Sequence, residues 1–455
     1  MTAEKLFGTN GVRGIVNETM TPDFAVKMGE AIGTFFKGRE IFVGCDGRTS
    51  NQMLSKAVIV GLISTGCTVY DVGLAPTPAI QYAVKHFGAN GAVIVTASHN
   101  PPEYNGIKVV DSSGIEIVED DEAEIEGIYR SQKFNLVSWD KIGRIVAYPD
   151  ILRAYMEGIK KHVDVEAIAK ANFQVVADPA NGVGSLVLPY LLRELGCKVK
   201  TINAHIDGSF PGRLPEPRLE RLKDLSDAVK SMGADLGVAL DGDADRSIFV
   251  DDNGVAHWGE ITGAVLAEYV LSRNPGAIVV TSISSSKLIE DIVKKHGGKL
   301  IWTKVGSTIV SKVMVKEGGT ISFEDNGGVF YGPHQAVRDG SMATALMLEV
   351  LVKTGKKLSE LIAALPEYHI VKMNVPCPDS LKSKVMAMVL KKTEAYERLT
   401  IDGVKVYRGE ASVLIRPSGT EPIFRVYSES RGKRDAEDLA AWGIELVKSS
   451  LREAK

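Results

Sequence analysis

Several features that define specialised classes of protein are scarce or missing in this 455-residue sequence. It contains only 4 cysteines and no CxxC pair, so we expect small buried thiols in a reducing compartment rather than a disulfide or zinc framework. The 54 Lys+Arg nearly balance the 57 Asp+Glu, which leaves no basic field for nucleic acid or an anionic membrane. The N-terminus lacks the apolar stretch of a signal peptide, and no apolar run approaches the roughly 18 residues of a membrane span. We therefore expect a cytoplasmic protein with neither nucleic acid nor membrane as partner.

Glycine, by contrast, is abundant, with 45 residues against 18 prolines. Such a density of glycine suggests many tight loops between strands and helices, and these loops are places where anions bind. The chain also exceeds the roughly 250–300 residues at which a single hydrophobic core stops growing. The sequence therefore predicts two to four domains, with any phosphate binding confined to particular loops.

A helix–glycine–strand pattern occurs three times along the chain. Each copy begins with an amphipathic stretch of helical period, at residues 54–65, 186–195 and 288–296. A short apolar run of strand length follows each copy and ends abruptly in a polar loop, at residues 96–101, 241–246 and 324–328. Alternating helices and buried strands indicate α/β domains with mainly parallel sheets, in which ligands bind beyond the carboxyl ends of the strands. The three polar loops could therefore converge on one cleft.

The last part of the chain lacks this repeat and reads as a smaller α+β domain. We predict strands at 370–375, 404–407, 412–415 and 423–427, and helices at 380–399 and 433–453. The predicted domains are 1–150, 151–253, 254–368 and 369–455.

The run DGDADR at residues 241–246 places three carboxylates at alternate positions after a buried strand. This spacing can direct several oxygens at one hard cation, and the mutual repulsion of Asp241, Asp243 and Asp245 favours a cation among them. Mg²⁺ is the expected metal, because no sulfur or imidazole flanks the run. The alternative is a solvated acidic turn or an N-cap cluster; an EF-hand is poorly supported because its later glycine and closing glutamate are not at the required spacing.

The run TASHNPP at residues 96–102 carries a candidate nucleophile, Ser98. It lacks the GxSxG elbow of α/β-hydrolases, so we interpret the serine as a phosphoryl acceptor on a proline-braced loop. The alternative is a helix N-cap followed by proline. His99 is the only histidine adjacent to this candidate nucleophile, and Lys108 follows on a predicted strand, where a lone lysine is otherwise solvated.

Three further loops offer groups that can bind phosphate or sugar. The run GTNGVRG at residues 8–14 presents Arg13 but matches neither GxGxxG nor a Walker A loop. The run RPSGT at 416–420 combines a guanidinium, two hydroxyls and a glycine, which suits a phosphate dianion, with a plain β-turn as the alternative. The run EDNGG at 324–328 offers donors and acceptors for sugar hydroxyls, with an acidic hairpin turn as the alternative.

Taken together, in this order and spacing, the five loops resemble those of the α-D-phosphohexomutase superfamily, and the resemblance covers essentially the whole chain. It implies three similar mixed α/β domains plus a C-terminal α+β domain around a central active-site cleft. It also implies an isomerase, an intramolecular phosphotransferase that interconverts hexose 6-phosphate and hexose 1-phosphate. The expected cofactors are Mg²⁺ and a hexose 1,6-bisphosphate, which serves as activator and intermediate.

The resemblance also implies roles for particular residues of this sequence. Ser98 is expected to be the phosphoserine, and one of its phosphoryl oxygens would complete a metal site made by Asp241, Asp243 and Asp245. Arg246 is expected to approach the phosphoserine. The residues expected to assist proton transfer, without a choice of general acid or base among them, are Arg13, His99 and Lys108. The residues expected to bind substrate are Glu324 and Asn326 at the sugar hydroxyls, and Arg416, Ser418, Gly419 and Thr420 at the phosphate that does not react.

One departure from the family pattern bears on the substrate. Many relatives have Glu-x-Ser-Gly-His in the sugar loop, whereas this sequence has asparagine at 326 and glycine at 328, as in archaeal-type members. His334, six residues later, is a candidate replacement for the missing histidine. The run RPSGTEP resembles phosphoglucosamine mutases more than phosphomannomutase/phosphoglucomutases, so glucosamine phosphate is the favoured substrate and mannose or glucose phosphate, or broad specificity, the alternative.

Proteins of two other classes could share part of this pattern. A metal-dependent serine phosphatase would have Ser98 and the aspartates but would release phosphate. A non-catalytic sugar-phosphate binder would have no reason to keep both. The partner is thus expected to be a small sugar phosphate, and a homo-oligomer is left open because no heptad pattern is evident.

Overall fold

The computed structural model describes residues 5–8, 10–148, 150–419 and 421–454. Within these ranges the strands form four sheets, which follow one another along the chain. Among the described residues no helix combines the length and the apolar character needed to cross a membrane.

The first sheet is mixed and has six strands in the order β1-β5-β4-β2-β3-β6. Its strands are β1 Val12–Ile15, β2 Glu40–Cys45, β3 Thr68–Leu74, β4 Gly91–Val95, β5 Tyr104–Asp111 and β6 Ile145–Ala147. Its helices are α1 Pro22–Phe35, α2 Asn51–Ser64, α3 Thr77–Phe87 and α4 Glu119–Ser131. The strands β4, β2, β3 and β6 run parallel, while β5 and β1 are antiparallel to their neighbours.

The second sheet has five strands in the order β11-β10-β9-β7-β8. The strands are β7 Gln174–Asp178, β8 Lys198–Thr201, β9 Leu236–Leu240, β10 Ser247–Val250 and β11 Ala256–His257. The helices are α5 Ile151–Lys160, α6 Val165–Ala171, α7 Leu188–Glu194 and α8 Lys223–Met232. Its core of β8, β7 and β9 is parallel.

The third sheet repeats this plan in the order β13-β12-β14-β15-β16. The strands are β12 Ile278–Ser282, β13 Lys299–Thr303, β14 Ile321–Phe323, β15 Val329–Tyr331 and β16 Gln335–Arg338. The helices are α9 Gly259–Arg273, α10 Leu288–Lys295, α11 Ser307–Glu317, α12 Gly340–Thr354 and α13 Leu358–Ala363. In all three sheets a parallel core is extended by antiparallel strands on one side, which makes the three domains similar.

The fourth sheet is antiparallel throughout, in the order β17-β21-β20-β19-β18. The strands are β17 His369–Pro376, β18 Arg398–Leu399, β19 Val404–Arg408, β20 Ala411–Pro417 and β21 Ile423–Ser430. Its helices are α14 Asp379–Lys392 and α15 Lys433–Ala454. The helix expected at 380–399 is wrong at its C-terminal end, because Arg398 and Leu399 pair with β19 instead.

The glycines of the repeat end helices, as the pattern predicts. Gly66, Gly196 and Gly297 follow α2, α7 and α10 with φ of 89°, 84° and 63°. This left-handed conformation is easy for glycine and lets the chain turn from the helix into the next strand.

The hydrophobic cores show which domains pack together. One continuous cluster of buried side chains extends from Phe42 in the first sheet to Leu358 in α13, so the first three domains share a core. The fourth domain has its own core, which includes Val375, Val413 and Val447. The first three domains therefore form one packed frame for the polar loops, and the fourth is attached to it.

Candidate active site

Ser98 lies directly beyond β4, in a loop that holds it in an unusual conformation. Its φ is 49°, a value that few residues other than glycine adopt, and its side chain is fully buried. The backbone N–H of Ser98 donates to the hydroxyl of Thr96 (2.8 Å), which in turn donates to Asp46 (2.6 Å). The Ser98 hydroxyl donates to Oδ2 of Asp241 at 2.9 Å, across the boundary between the first and second sheets. The structure thus brings the candidate nucleophile to the acidic loop, as the sequence predicts.

Arg48 fastens the serine loop from behind and was not singled out from the sequence. Its guanidinium donates to the backbone carbonyls of Ser98 (2.9 Å), Asn100 (2.5 Å), Pro101 (2.6 Å) and Tyr104 (2.8 Å). It also pairs with Asp46 at 3.2 Å, and both side chains are completely buried. The run DGR at 46–48 follows β2, so its position at a strand end was a signal that could have drawn attention to it.

The three aspartates of the 241–246 run converge beyond β9. One carboxylate oxygen from each of Asp241, Asp243 and Asp245 lies within 4.8 Å of the others, and all three residues are almost fully buried. Burial and the neighbouring charges of Asp245 and Asp243 raise the pKa of Asp241 well above its ordinary value. The cluster is therefore a concentration of negative charge that a cation would relieve.

In Asp243 and Asp245, one carboxylate oxygen is anchored by hydrogen bonds and the other has no hydrogen-bond partner among the described residues. Asp243 accepts through Oδ2 from Thr77 (2.8 Å) and Lys108 (3.0 Å), and Asp245 accepts through Oδ2 from Arg338 (2.7 Å). Their Oδ1 atoms are buried and have no hydrogen-bond partner among the described residues. Since a buried acceptor without a donor is costly, this arrangement fits a hard divalent cation bound by the unpartnered oxygens.

Lys108 lies against the triad, on β5. Its Nζ is 3.0 Å from Asp243, 3.7 Å from Asp245 and 3.7 Å from Glu116. Burial alone would lower the pKa of Lys108, but these carboxylates outweigh it and raise the pKa above its ordinary value. The amine therefore stays protonated and offsets the negative charge of the triad; its part in proton transfer stays a prediction.

His99 belongs to the serine loop at 96–102, and Arg13 lies beside that loop. Nδ1 of His99 is 3.3 Å from the Ser98 hydroxyl, and Arg13 donates to Asn100 Oδ1 (2.5 Å) and to the carbonyl of Ala97 (3.3 Å). Burial, followed by the positive charges of Arg246 and Arg13, lowers the pKa of His99 to about 2. His99 is thus a neutral imidazole next to the nucleophile.

Arg246 also approaches this point. Its Nε is 3.9 Å from the Asp241 oxygen that accepts the Ser98 hydroxyl, and 3.7 Å from Oδ1 of Asp245. That Nε is buried without a hydrogen-bond partner among the described residues, so a donor is available close to the serine.

The 324–328 loop meets the acidic loop from the third domain. Ser247 N–H donates to the carbonyl of Gly327 at 2.9 Å, which ties this loop to the strand that follows the triad. Asn326 caps the turn by accepting from Gly328 N–H at 3.1 Å. Glu324 faces Arg338 at 3.7 Å, and burial raises the pKa of its carboxyl despite that arginine.

The side chain of His334 packs against an aromatic side chain of the first domain. Its ring stacks on Tyr82 with centroids 5.0 Å apart, and burial lowers its pKa to about 3. The atoms that surround Gly328 belong to Arg338 and Glu324 instead. Arg338, which the sequence did not single out, is therefore the basic side chain at the position where the family pattern has histidine.

The 416–420 loop of the fourth domain, which the sequence predicts to bind phosphate, is linked to the third domain. Arg416 pairs with Asp402 at 3.1 Å, and Asp402 accepts from Val305 N–H at 3.2 Å. Ser418 is buried and accepts from Glu421 N–H at 3.2 Å, Gly419 is exposed, and Thr420 lies outside the described residues. Nε of Arg416 is buried without a hydrogen-bond partner among the described residues, which leaves a donor for an anion.

A serine held against a carboxylate triad that could hold a cation, where loops of consecutive α/β domains meet, is an arrangement suited to phosphoryl transfer. Comparison with protein families agrees with this chemistry. The chain belongs to the phosphoglucomutase/phosphomannomutase family: models of alpha/beta/alpha domains I, II and III match residues 4–136, 153–254 and 258–368, and the C-terminal domain model matches 373–442. Members of this family are phosphohexomutases, a class of isomerase, so the resemblance drawn from the five loops is confirmed.

Two relatives and one solved structure match this chain over nearly its whole length. A phosphoglucomutase/phosphomannomutase of Thermococcus kodakarensis is 48% identical over 454 residues, covering 98% of this chain and 99% of that protein. A phosphoglucosamine/phosphogalactosamine mutase of Sulfurisphaera tokodaii is 46% identical over 442 residues, covering 96% and 97%. The crystal structure of a phosphoglucomutase/phosphomannomutase family protein from Burkholderia thailandensis superposes with a TM-score of 0.88 at 27% identity, covering 99% of this chain and 98% of that one.

Proposed function

We propose that this chain interconverts hexose 6-phosphate and hexose 1-phosphate through a phosphoserine at Ser98 and a hexose 1,6-bisphosphate intermediate. Glucosamine 6-phosphate, converted to glucosamine 1-phosphate, is the proposed main substrate. The observation that carries the proposal is the 2.9 Å hydrogen bond from the Ser98 hydroxyl to Asp241, inside a carboxylate triad of which two oxygens have no hydrogen-bond partner among the described residues. A serine in that position can exchange a phosphoryl group beside a bound cation.

The residues of the chain have distinct parts in this chemistry. A sugar hydroxyl attacks the phosphorus of phosphoserine, the Ser98 oxygen leaves, and the proton of the hydroxyl passes to a basic group. The Ser98 oxygen takes up a proton as it leaves. After the bisphosphate turns around, the Ser98 hydroxyl gives its proton to a basic group and attacks the other phosphate. The sugar oxygen on that phosphorus leaves and is protonated, which restores phosphoserine and releases the sugar monophosphate. The candidates for the proton transfer remain Arg13, His99 and Lys108. Of these, His99 is the neutral one beside the serine, at 3.3 Å.

The proposed metal is Mg²⁺, held by Asp241, Asp243, Asp245 and an oxygen of the Ser98 phosphate. An all-oxygen ligand set suits a hard cation. When bound, the metal would neutralise negative charge on the phosphoryl group during transfer. Arg246, whose Nε lies 3.9 Å from Asp241, would donate to the same phosphoryl group.

Two features support hexosamine phosphates as substrates, and one supports the alternative. The run RPSGTEP and a relative at 46% identity that is named phosphoglucosamine/phosphogalactosamine mutase favour hexosamines. A relative at 48% identity is named phosphoglucomutase/phosphomannomutase, which supports mannose or glucose phosphate, or broad specificity. Hexosamine is preferred because the phosphate-loop sequence points the same way. The cytoplasmic location stays a prediction.

The test is a comparison of kcat/KM for the 6-phosphates of glucosamine, N-acetylglucosamine, galactosamine, glucose and mannose, with Mg²⁺ and a trace of hexose 1,6-bisphosphate. We expect glucosamine 6-phosphate to have the highest value. A preference of tenfold or more for mannose or glucose phosphate would instead support the alternative, a phosphomannomutase/phosphoglucomutase.

The mechanism is tested separately by Ser98→Ala, with Ser131→Ala on the exposed end of α4 as the matched control. We expect Ser98→Ala to fold with an unchanged circular dichroism spectrum and to show no interconversion, while Ser131→Ala retains wild-type turnover. Full mutase turnover by Ser98→Ala would refute the phosphoserine. Release of inorganic phosphate by the wild-type protein, without a sugar 1-phosphate product, would instead identify a phosphatase.

A further inference from the structure

The acidic loop at 241–246 and the sugar loop at 324–328 are joined by backbone hydrogen bonds. Gly340 N–H, at the start of α12, donates to the carbonyl of Ala244 at 3.3 Å, and Ser247 N–H donates to Gly327 at 2.9 Å. Residues Arg246 and Gly328 also form an isolated antiparallel bridge. The metal-binding candidates of the second domain are therefore packed directly against the third domain.

Arg338 lies at the centre of this junction. It is the last residue of β16 and is 6% exposed. Nη2 donates to Oδ2 of Asp245 at 2.7 Å, and Nη1 lies 3.7 Å from Oε2 of Glu324. One planar guanidinium thus faces a candidate metal ligand with one nitrogen and a candidate sugar ligand with another, a geometry that the single ammonium of lysine cannot reproduce.

The backbone around Arg338 holds it at this position. The next residue, Asp339, caps α12 by accepting from Met342 N–H at 2.9 Å and also accepts from the Tyr155 hydroxyl at 2.5 Å. Asp339 N–H donates to the carbonyl of Val329 at 2.9 Å. The side chain therefore extends from a fixed point between two fixed loops.

Glycine at position 328 makes room for this arginine. A Cβ at Gly328 would lie 2.6 Å from Cδ of Arg338 and 2.9 Å from Oε2 of Glu324. Gly328 does not adopt the left-handed conformation, so the space taken by Arg338, rather than backbone strain, is what a side chain at 328 would violate. Position 328 and position 338 thus compete for one volume beside Glu324.

We propose that Arg338 is a positioning residue that couples the sugar loop to the metal loop, and that Gly328 is required because Arg338 occupies the space beside Glu324. The part of this inference that concerns sugar binding rests on the proposed mutase function. The part that concerns Asp245 does not, because it can be measured by metal binding alone.

The first experiment is a double-mutant cycle between positions 328 and 338, read as kcat/KM for glucosamine 6-phosphate. We expect Gly328→Ala to lower kcat/KM at least tenfold in the wild-type background, because the added methyl group displaces the guanidinium. In the Arg338→Ala background the same substitution should cost less than threefold, since the clash with Arg338 has gone. Equal effects in both backgrounds, or no effect of Gly328→Ala in the wild type, would overturn the coupling.

The second experiment titrates the metal-free protein with Mg²⁺ by calorimetry and needs no turnover. Arg338→Met removes the donor that holds Asp245 at 2.7 Å, so we expect the Mg²⁺ dissociation constant to rise at least threefold. Arg338→Lys keeps the charge and should bind Mg²⁺ within twofold of wild type, yet raise KM for the sugar phosphate at least fivefold, because lysine lacks the second nitrogen. An unchanged or lowered Mg²⁺ dissociation constant in Arg338→Met, or a wild-type KM in Arg338→Lys, would contradict the proposal.

The matched control is Lys353→Met, on α12, the helix that follows Arg338. Lys353 forms an ion pair with Asp164 away from the candidate site, and both side chains are partly exposed. We expect it to change neither Mg²⁺ affinity nor KM. If the wild-type protein proved inactive as a mutase, the proposed function would be overturned while the Mg²⁺ titration would still decide the role of Arg338 at Asp245.

Discussion

The most demanding prediction concerns Arg48, which fastens the serine loop. Arg48→Met keeps an unbranched apolar stem over the ring of Phe210, 5.2 Å from the guanidinium carbon, and removes the charged head. Four backbone carbonyls then lose their donor, and the buried Asp46 carboxylate loses its ion-pair partner at 3.2 Å. Breaking a buried ion pair from one side costs about 3–5 kcal/mol. The substitution should therefore destabilise the first domain by about that amount.

The cost can be measured as a shift in melting temperature. For a domain of 150–250 residues each kcal/mol lowers the melting temperature by about 2–4 °C, so we expect a fall of about 6–20 °C by calorimetry. The control is Arg434→Met on the surface of α15, where the side chain is 93% exposed and its pair with Asp438 is long, at 3.9 Å. That change should stay within about 0.5 kcal/mol.

A second readout separates loss of stability from loss of position. Ser98 holds a φ of 49°, and Arg48 donates to its carbonyl. At 25 °C, where the folded variant still predominates, we expect phosphorylation of Ser98 by hexose 1,6-bisphosphate to be at least tenfold slower, followed by ³²P incorporation. A melting temperature and labelling rate equal to those of Arg434→Met would refute this reasoning.

The remaining predictions concern pH, metal and domain movement. Burial raises the pKa of Glu260 to about 7 from 4.5, so its stabilising effect is complete below pH 4.5 and is lost as pH rises through 7. The free energy of unfolding of Glu260→Gln, measured in urea, should therefore rise by roughly 2–3 kcal/mol relative to that of the wild type between pH 5 and pH 8. Curves of unfolding free energy against pH that run parallel for the two proteins would count against this. Saturating Mg²⁺ at 100 times its dissociation constant should stabilise the protein by about 2.7 kcal/mol, reversed by EDTA and absent in Asp245→Asn. The fourth domain, which has its own core, should close over substrate, and an unchanged radius of gyration in solution scattering would argue against that.

Most of the architecture could be predicted from the sequence because the repeat consists of patterns among neighbouring residues. The amphipathic stretches, the glycine after each and the following apolar runs depend on neighbouring residues, and they correspond to α2, α7 and α10 with the strands that follow. The end of the helix after Asp379 could not be read in this way. Residues 398–399 have a helical pattern but pair with β19, a contact made through space.

The same distinction, between local sequence patterns and contacts made through space, applies to the residues of the candidate site. Ser98, the three aspartates and the loops at 324–328 and 416–420 stand out in the sequence because reactive groups follow strands in short, glycine-rich runs. Arg48 and Arg338 do not stand out, because each works through contacts with residues far along the chain. The packing of His334 was not readable either: its ring stacks on Tyr82, while the atoms nearest a Cβ at Gly328 belong to Arg338 and Glu324.

The sequence by itself determined the class of fold, the order of the domains and the chemical identity of the loops, since these follow from local periodicity and residue type. Only the tertiary structure decided which charges meet. It paired Lys108 with Asp243 and Arg338 with Asp245, and it left one oxygen of each of these two aspartates without a hydrogen-bond partner in the part of the chain that the structure describes. Electrostatic interactions depend on distance and burial, which exist only after the chain has folded, and so the balance of charge at the site could not be read from the order of residues.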